Sequence, residues 1–336
     1  MSSDLGFQYV EVAGFPGIPT VRNFEGCAVR LMNEKHSDFE TDNEILNQIN
    51  RITDRSIESN MMCSFTDCPQ IEKLGWLETT QLMFSSVAAG YDIRSWIPKI
   101  MGDMRDAQVR PEDAEGVSME ADSRKYPGFA FDKFENKETE EPGFVPGIAP
   151  EFFRIGGLFK DPNWGGACVM TPWYYYREYG DVNILRQNFG LMQSYVDHLE
   201  RRSVNGVLKE YAQMGEWGQL NENTPAALVA TCAFYQQAVT LSGIAGILGN
   251  LQEEERYREM GKRIREGFHE DAECWQPEKE IYGNGSQASY GCVLFSGIVM
   301  PEKKEMALHK LLEAVEERGC HLSSGEVGQI GRASCR

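Results

Sequence analysis

From about residue 42 to 318 the chain is a succession of helix-length segments with apolar residues at i, i+3, i+4 spacing, separated by short Gly, Pro and Asn breaks, and no strand-like runs alternate with them. That pattern is incompatible with a parallel α/β sheet, which needs a strand between successive helices, and leaves hairpins of helices packed on one another. The spacing predicts helices over 43–60, 75–90, 93–108, 165–179, 182–203, 224–249, 252–272, 286–298 and 303–318. Breaks fall at Gly90, Gly180-Asp181, Gly206, Gly249-Asn250 and Pro301. The natural closure of so many hairpins is a toroid, so the expected fold is mainly α. With 41% hydrophobic residues in 336 the chain can bury a full core.

Two stretches depart from this grammar. Residues 5–31 alternate apolar residues (Phe7, Tyr9, Val10, Val12) with Gly14-Phe15-Pro16-Gly17, then run through Cys27-Ala28-Val29-Arg30-Leu31. This reads as strand and turn. Two or three strands cannot make a stable sheet alone, so 1–38 is expected to be the end of a β-domain preceding a helical domain over 39–330. The stretch 110–149 is an expected acidic insertion: residues 112–141 hold ten acids against four bases, and eight Pro and Gly residues from 111 to 147 break any helix.

The net charge of −18, with no Lys/Arg cluster, argues against nucleic acid and anionic membrane as partners. No run approaches 18 consecutive apolar residues, and the first residues lack the basic and apolar regions of a signal peptide. Nine scattered cysteines without a Cys-x-x-Cys read as reduced core thiols, so a cytoplasmic location is expected. The five histidines show no metal-site spacing, and P-loop, Gly-x-Gly-x-x-Gly and Gly-x-Ser-x-Gly motifs are absent from the sequence, so no cofactor is expected.

The densest chemistry lies in Asp67-Cys68-Pro69-Gln70-Ile71-Glu72-Lys73-Leu74-Gly75-Trp76-Leu77-Glu78, with three carboxylates and a tryptophan in twelve residues. If a helix begins near Pro69, Glu72 and Trp76 share a face as i and i+4, an acid beside an aromatic platform. That pairing suits sugars, whose apolar faces pack on indole while carboxylates accept from hydroxyls. Glycoside cleavage generally uses two carboxyl groups, one of them protonated. A first-turn carboxylate is held anionic by the helix dipole, so a general acid there needs burial against Trp76 or repulsion from Asp67 or Glu78. Ordinary helix-start acids are the competing reading. Trp164 and Trp217 are flanked by glycines, which suits a cleft floor, and Glu216 adds an acid next to Trp217 in an inter-helix loop. The Trp173–Tyr176 run reads as packing.

Asp67-Cys68-Pro69-Gln70-x-Glu72-Lys73-Leu74-Gly75-Trp76 resembles the signature of bacterial α-L-rhamnosidases, glycoside hydrolase family 78. Further blocks follow in the family's order: Trp164-Gly165-Gly166-Ala167, Pro172-Trp173, Tyr179-Gly180-Asp181, Gly215-Glu216-Trp217, Thr224-Pro225 and His321-Leu322-Ser323-Ser324-Gly325. The resemblance implies an (α/α)6 toroid of the six-hairpin glycosidase type, acting on carbohydrate with terminal L-rhamnose by inversion. Glu72 takes the general-acid position, Asp67 that of a hydroxyl-holding acid, and Trp76, Trp164 and Trp217 aromatic positions around the sugar; His321 and Glu216 fall in blocks near the substrate. Ile71 stands where the family usually has Arg, Thr79 where many members have Asp, and Glu216 where Asp is common; Glu78 could replace the acid lost at 79. Twelve helices complete such a barrel and nine are expected here, so the barrel reads as C-terminally incomplete, with a short N-terminal β segment. The catalytic base is expected beyond the His-Leu-Ser-Ser-Gly block, and 331–336 (Gly-Arg-Ala-Ser-Cys-Arg) reads as a foreign or irregular tail. Exposed apolar edges would then favour a homo-oligomer. Two other readings stay open: a carbohydrate-binding segment without turnover, and another toroid enzyme such as an unsaturated-uronide hydrolase.

Overall fold

The computed structural model describes residues 9–31, 33–69, 71, 73–110, 141–150, 160–211 and 214–328. Residues 111–140 of the acidic insertion fall outside these residues, as do Glu72 and the 331–336 tail. The elements are α1 (Glu44–Asn60), α2 (Leu77–Leu82), α3 (Phe84–Gly90), α4 (Trp96–Ala107), α5 (Pro162–Gly165), α6 (Ala167–Tyr179), α7 (Val182–Arg202), α8 (Ala226–Ile247) and α9 (Leu251–Glu270). A two-stranded ribbon, β1 (Trp275–Gln276) with β2 (Ile281–Tyr282), precedes α10 (Gln287–Ser296) and α11 (Lys304–Glu316).

Caps explain where the helices stop and start. Gly180 ends α6 in the left-handed region at φ 71°, and the next residue, Asp181, caps α7 by accepting from the Asn183 N–H. Asn250 caps α9 in the same manner, straight after Gly249 at φ 76°, and Asn43 and Ser286 cap α1 and α10. Two expected helices are each divided. The one predicted over 75–90 restarts at Met83, and the one predicted from 165 is preceded by the single turn α5, capped by Asp161.

Which helices lie inside follows from their faces. α8 and α10 have no polar stripe, and α8 buries residues on every side, from Ala227 to Ala245. By length and composition α8 could cross a membrane, yet most of it is enclosed by its neighbours. α7 and α9 are amphipathic; α9 buries Tyr257, Met260, Ile264 and Phe268 and leaves its charged residues outside. Accordingly α2, α6, α8 and α10 pack side by side as an inner ring, while α7, α9 and α11 lie outside, each in a hairpin with the inner helix before it. This is the expected toroid of helical hairpins. An axial cavity of about 530 Å³ runs between the inner helices, walled by Gln81, Trp173, Tyr174, Gln236, Cys292 and Val327.

Residues 9–31 form no paired strand among the described residues. They are nearly all exposed, with one 3-10 turn at Val21–Asn23, and the first sheet-like contact is the isolated bridge between Lys35 and Tyr91. A strand needs a second strand for its backbone bonds, and none lies beside this segment here. The outer helix α1 leaves Ile45, Leu46, Ile49 and Ile52 exposed, which are the residues whose spacing predicted it.

The helix pair α8–α9 is locked to the 203–207 turn through Gly267, where an added Cβ would fall on the Asn205 carbonyl oxygen. Gly267→Ala should therefore lower Tm, although alanine is the better helix former by about 1 kcal/mol, because overpacking against backbone costs about 1–3 kcal/mol. A thermal melt with an unchanged or raised Tm would mean that the turn yields freely.

Candidate functional site

The inner helices α2, α6, α8 and α10 all begin at one end of the ring, and the loops that enter them carry most of the polar residues singled out above. The first loop closes on itself through backbone. Asp67 N–H donates to Leu74 O at 2.7 Å, Lys73 N–H to Asp67 O at 3.1 Å and Ile71 N–H to Cys68 O at 2.8 Å, with Cys68 and Lys73 both at positive φ. Helix α2 consequently starts at Leu77 with Trp76 as its N-cap, not near Pro69. The condition for Glu72 and Trp76 to share a face, a helix beginning near Pro69, is not met among the described residues, and Glu72 lies outside them. Gly75 allows this loop to lie against 147–149: Leu77 N–H donates to Gly147 O and Ala149 N–H to Gly75 O, and a Cβ on Gly75 would meet Ser64 and the Ala149 carbonyl.

Of the residues expected to meet a sugar, Asp67 and Trp217 are exposed, Trp217 by 53%, and Trp76 is half-buried. Asp67 borders a second cavity of about 560 Å³ with Thr79, Ile57, Phe65 and Met83. The others are placed differently. Trp164 is 1% exposed, because the short α5 turn tucks its indole inward; it supports the loop end and does not present a face. Glu78 is buried, its Oε1 accepting from the Thr79 hydroxyl at 2.9 Å while Oε2 has no hydrogen-bond partner. Burial first, and the nearby Glu326 carboxylate second, push its pKa up to about 8, against the opposing Thr79 bond. Glu216 is buried as well, with both oxygens accepting from the Gly328 N–H at 3.0 and 2.8 Å. Burial raises it to about 7 against the amides of Gly328 and Gly325. Its carboxylate clamps the 325–328 turn. His321 is exposed, and it is its carbonyl, not its ring, that is tied in, accepting from Gln287 Nε2 at 3.0 Å.

Sequence reading missed three residues of this end, Asp161, Glu222 and Gln287. Asp161 is 1% exposed; Oδ1 caps α5 through the Asn163 N–H at 2.9 Å, and Oδ2 accepts from the Gly215 N–H at 2.9 Å, joining two entry loops. Burial holds its pKa at about 6 despite those amides. An Asp immediately before a Pro at a helix start was a legible cap signal. Glu222 accepts from the Ser323 hydroxyl, Gln287 binds the 321–323 backbone, and the Glu326 N–H donates to Trp217 O; only the fold reveals these. The result is a mouth with Asp67, Trp76, Trp217 and Glu326 outward and Glu78, Asp161, Glu216 and Glu222 beneath. Such a surface offers acceptors and aromatic faces to a ligand rich in hydroxyl donors.

Residues 34–330 match the family model for the bacterial α-L-rhamnosidase six-hairpin glycosidase domain. The chain belongs to that family. It is 25% identical over 324 residues to an α-L-rhamnosidase of Streptomyces avermitilis, covering 96% of this chain and 28% of that protein. To one of Formosa agariphila it is 25% identical over 340 residues, covering 96% and 32%. Its fold is similar to the α-L-rhamnosidase structure from Dictyoglumus thermophilum at TM-score 0.77, with 26% identity, 94% of this chain and 33% of that one. The Streptomyces avermitilis α-L-rhamnosidase complexed with L-rhamnose is similar at TM-score 0.75, with 21% identity, 91% of this chain and 26% of that one. The chain thus spans about a third of the length of these relatives.

Three buried acids with raised pKa give stability a definite pH slope. Between the unfolded carboxylate range near 4 and the folded values of about 6 for Asp161, 7 for Glu216 and 8 for Glu78, the folded state holds more protons than the unfolded one. Stability is therefore fully present below that window and falls as pH rises through it, by up to about 1.4 kcal/mol per pH unit for each group. Denaturant midpoints should decline from pH 5 to 8, and Glu78→Gln should flatten the upper part of the curve. A flat wild-type profile would mean that these carboxylates are ionised in the fold.

Proposed function

We propose that the protein carrying this domain removes terminal α-L-rhamnose from glycosides with inversion at the anomeric carbon. What supports the reading is the family match running unbroken through the very loops that make up the carboxylate and tryptophan mouth. In this reading Glu72, which lies outside the described residues, keeps the acid role implied by its motif and protonates the leaving glycosidic oxygen. A water enters from the opposite face, activated by a second carboxylate about 6.5–9.5 Å from the first. Asp67 accepts from sugar hydroxyls, while Trp76 and Trp217 offer indole surface to the apolar face of the ring. The acidic surroundings help twice: they raise the pKa of a neighbouring acid, keeping it protonated, and they favour the positive charge that develops on the ring in the transition state. Copies of the chain associate, in the same proposal, through the exposed Ile45, Leu46, Ile49 and Ile52 stripe of α1.

Two measurements test these points. Release of the aryl group from an aryl α-L-rhamnoside, with the β-anomer of rhamnose as the first product by NMR, should be lost by at least about 100-fold in Glu72→Gln. Turnover unaffected by that substitution would remove Glu72 from the acid role. In sedimentation velocity, Ile45→Glu with Ile49→Glu should shift the distribution toward monomer; a wild-type chain that stays monomeric at high concentration would dismiss the association.

A further inference from the structure

The entry loop over 214–224 has little structure of its own. It forms neither helix nor strand, and Gly215, Gly218, Asn221 and Asn223 all lie at positive φ, between 50° and 78°, so its shape depends on ties to its neighbours. On one side the tie is at Trp217, whose O accepts from the Glu326 N–H at 2.9 Å. On the other side a single side chain holds it: Asp161 Oδ2 accepts from the Gly215 N–H at 2.9 Å and from the Met214 N–H at 3.3 Å. Gly215 lies just before Glu216-Trp217, and the Trp217 indole is 53% exposed, so little packing of its own fixes the ring.

Asp161 itself stands on a turn fastened to the inner ring. Gln81 of α2 donates its Nε2 to the Asn163 carbonyl, and Gln237 of α8 donates its Nε2 to the Pro162 carbonyl at 2.7 Å; both glutamines are buried. Gly166 lets the α8 glutamine in, since a Cβ there would fall on its Nε2. A helix cap needs one carboxylate oxygen, and Oδ1 serves it by accepting from the Asn163 N–H at 2.9 Å and from Asn163 Nδ2 at 3.1 Å. The cap leaves Oδ2 unexplained. Asn or Ser would cap as well and cost less to bury than a carboxylate, so the acid has its reason in the second oxygen, which reaches a loop 54 residues along the chain.

We infer that Asp161 is a positioning residue for the sugar site: it acts through Trp217, holding the 214–217 segment on the inner ring so that the exposed indole stands as a preset stacking face. A platform fixed before the ligand arrives loses no loop freedom on binding, so the clamp shows itself as affinity without any contact between Asp161 and the ligand. The inference rests on the rhamnosidase reading for the identity of the sugar; the hold on Trp217 is independent of that reading. Asp161→Asn isolates the clamp. An asparagine keeps one acceptor for the α5 cap and turns its NH2 group toward the Gly215 and Met214 N–H groups, donor against donor.

The test begins with the wild-type 336-residue chain, in which hydrogen exchange reads the clamp directly: the Gly215 amide should exchange at least about 100-fold more slowly than an unprotected loop amide. Calorimetry with L-rhamnose then follows Asp161→Asn, Trp217→Ala and the Asp161→Asn/Trp217→Ala double. Fluorine NMR of protein labelled with 5-fluorotryptophan follows the Trp217 resonance, assigned by its absence in Trp217→Ala. Loss of a fixed aromatic face should weaken binding about 3- to 10-fold in Asp161→Asn and at least as much in Trp217→Ala, and the double should be no weaker than Trp217→Ala alone. The Trp217 resonance, one sharp line in the wild type, should broaden or split in Asp161→Asn. Tm is not the readout, since an acid that merely supports the fold would lower it too; such an acid would leave the rhamnose Kd of the folded protein and its coupling to Trp217 unmoved. Free-loop exchange at Gly215 overturns the inference, and this arm holds even where Asp161→Asn does not fold. Additive losses in the double, or an unchanged Kd in a folded Asp161→Asn, also overturn it and leave the rhamnose reading in place. Where the wild type binds no rhamnose, that reading falls and the fluorine line decides the clamp: a line changed by Asp161→Asn upholds it, and an unchanged line overturns it.

Discussion

A helix without a polar stripe has to be covered on all sides, and α8 imposes that requirement on everything around it. Its 22 residues bury side chains around the full circumference, so neighbours are needed both along the ring and behind it. α6 and α10 supply the first and α7 and α9 the second. Once α8 is inside, the alternation of inner and outer helices follows from short connections, because a hairpin returns the chain antiparallel to where it came from. The same alternation puts every inner-helix start at one end. The mouth is thus a consequence of how an apolar helix is buried, and not a separate construction.

At that mouth the fold spends stability on carboxylates in two distinct ways. Asp161 and Glu216 are enclosed but hydrogen-bonded by backbone amides from another loop, so each ties two entry loops together. Asp161 joins 161–163 to 214–215, and Glu216 joins its own loop to 325–328. These bonds offset much of the cost of burial, which is why both pKa values rise less than that of Glu78. Glu78 is enclosed with Oε2 left without a hydrogen-bond partner, and burial raises it furthest. The ties make the loops a single platform, and the exposed groups they carry, Trp217 and Glu326, inherit a defined position from acids that never touch solvent.

Much of the architecture was legible residue by residue. Gly180-Asp181 and Gly249-Asn250 each end one helix and cap the next, and the hairpins follow from those pairs alone. The motif blocks likewise pointed to a sugar-binding loop end, and Asp67, Trp76 and Trp217 remain on the accessible side of it. The helix predicted from 75 does begin at Leu77, and the backbone bonds between Asp67 and Leu74 close a loop before it, so the conditional start near Pro69 is not met. Trp164, Glu78 and Glu216 carried the right residue types for a sugar site, yet their side chains are enclosed. Burial depends on which loop lies on top, and no local pattern records that. Glu222 escaped notice for the same reason, since its partner Ser323 is 101 residues away.

By itself, then, the sequence determined the helices, their breaks, their apolar faces and the family, since these rest on spacing and on capping side chains within a few residues of each other. Only the tertiary structure decided which of the mouth's acids are clamps and which face outward. That division is set by desolvation and by amides donated from remote loops, quantities that exist only after 67–78, 160–166, 214–224 and 321–328 have come together.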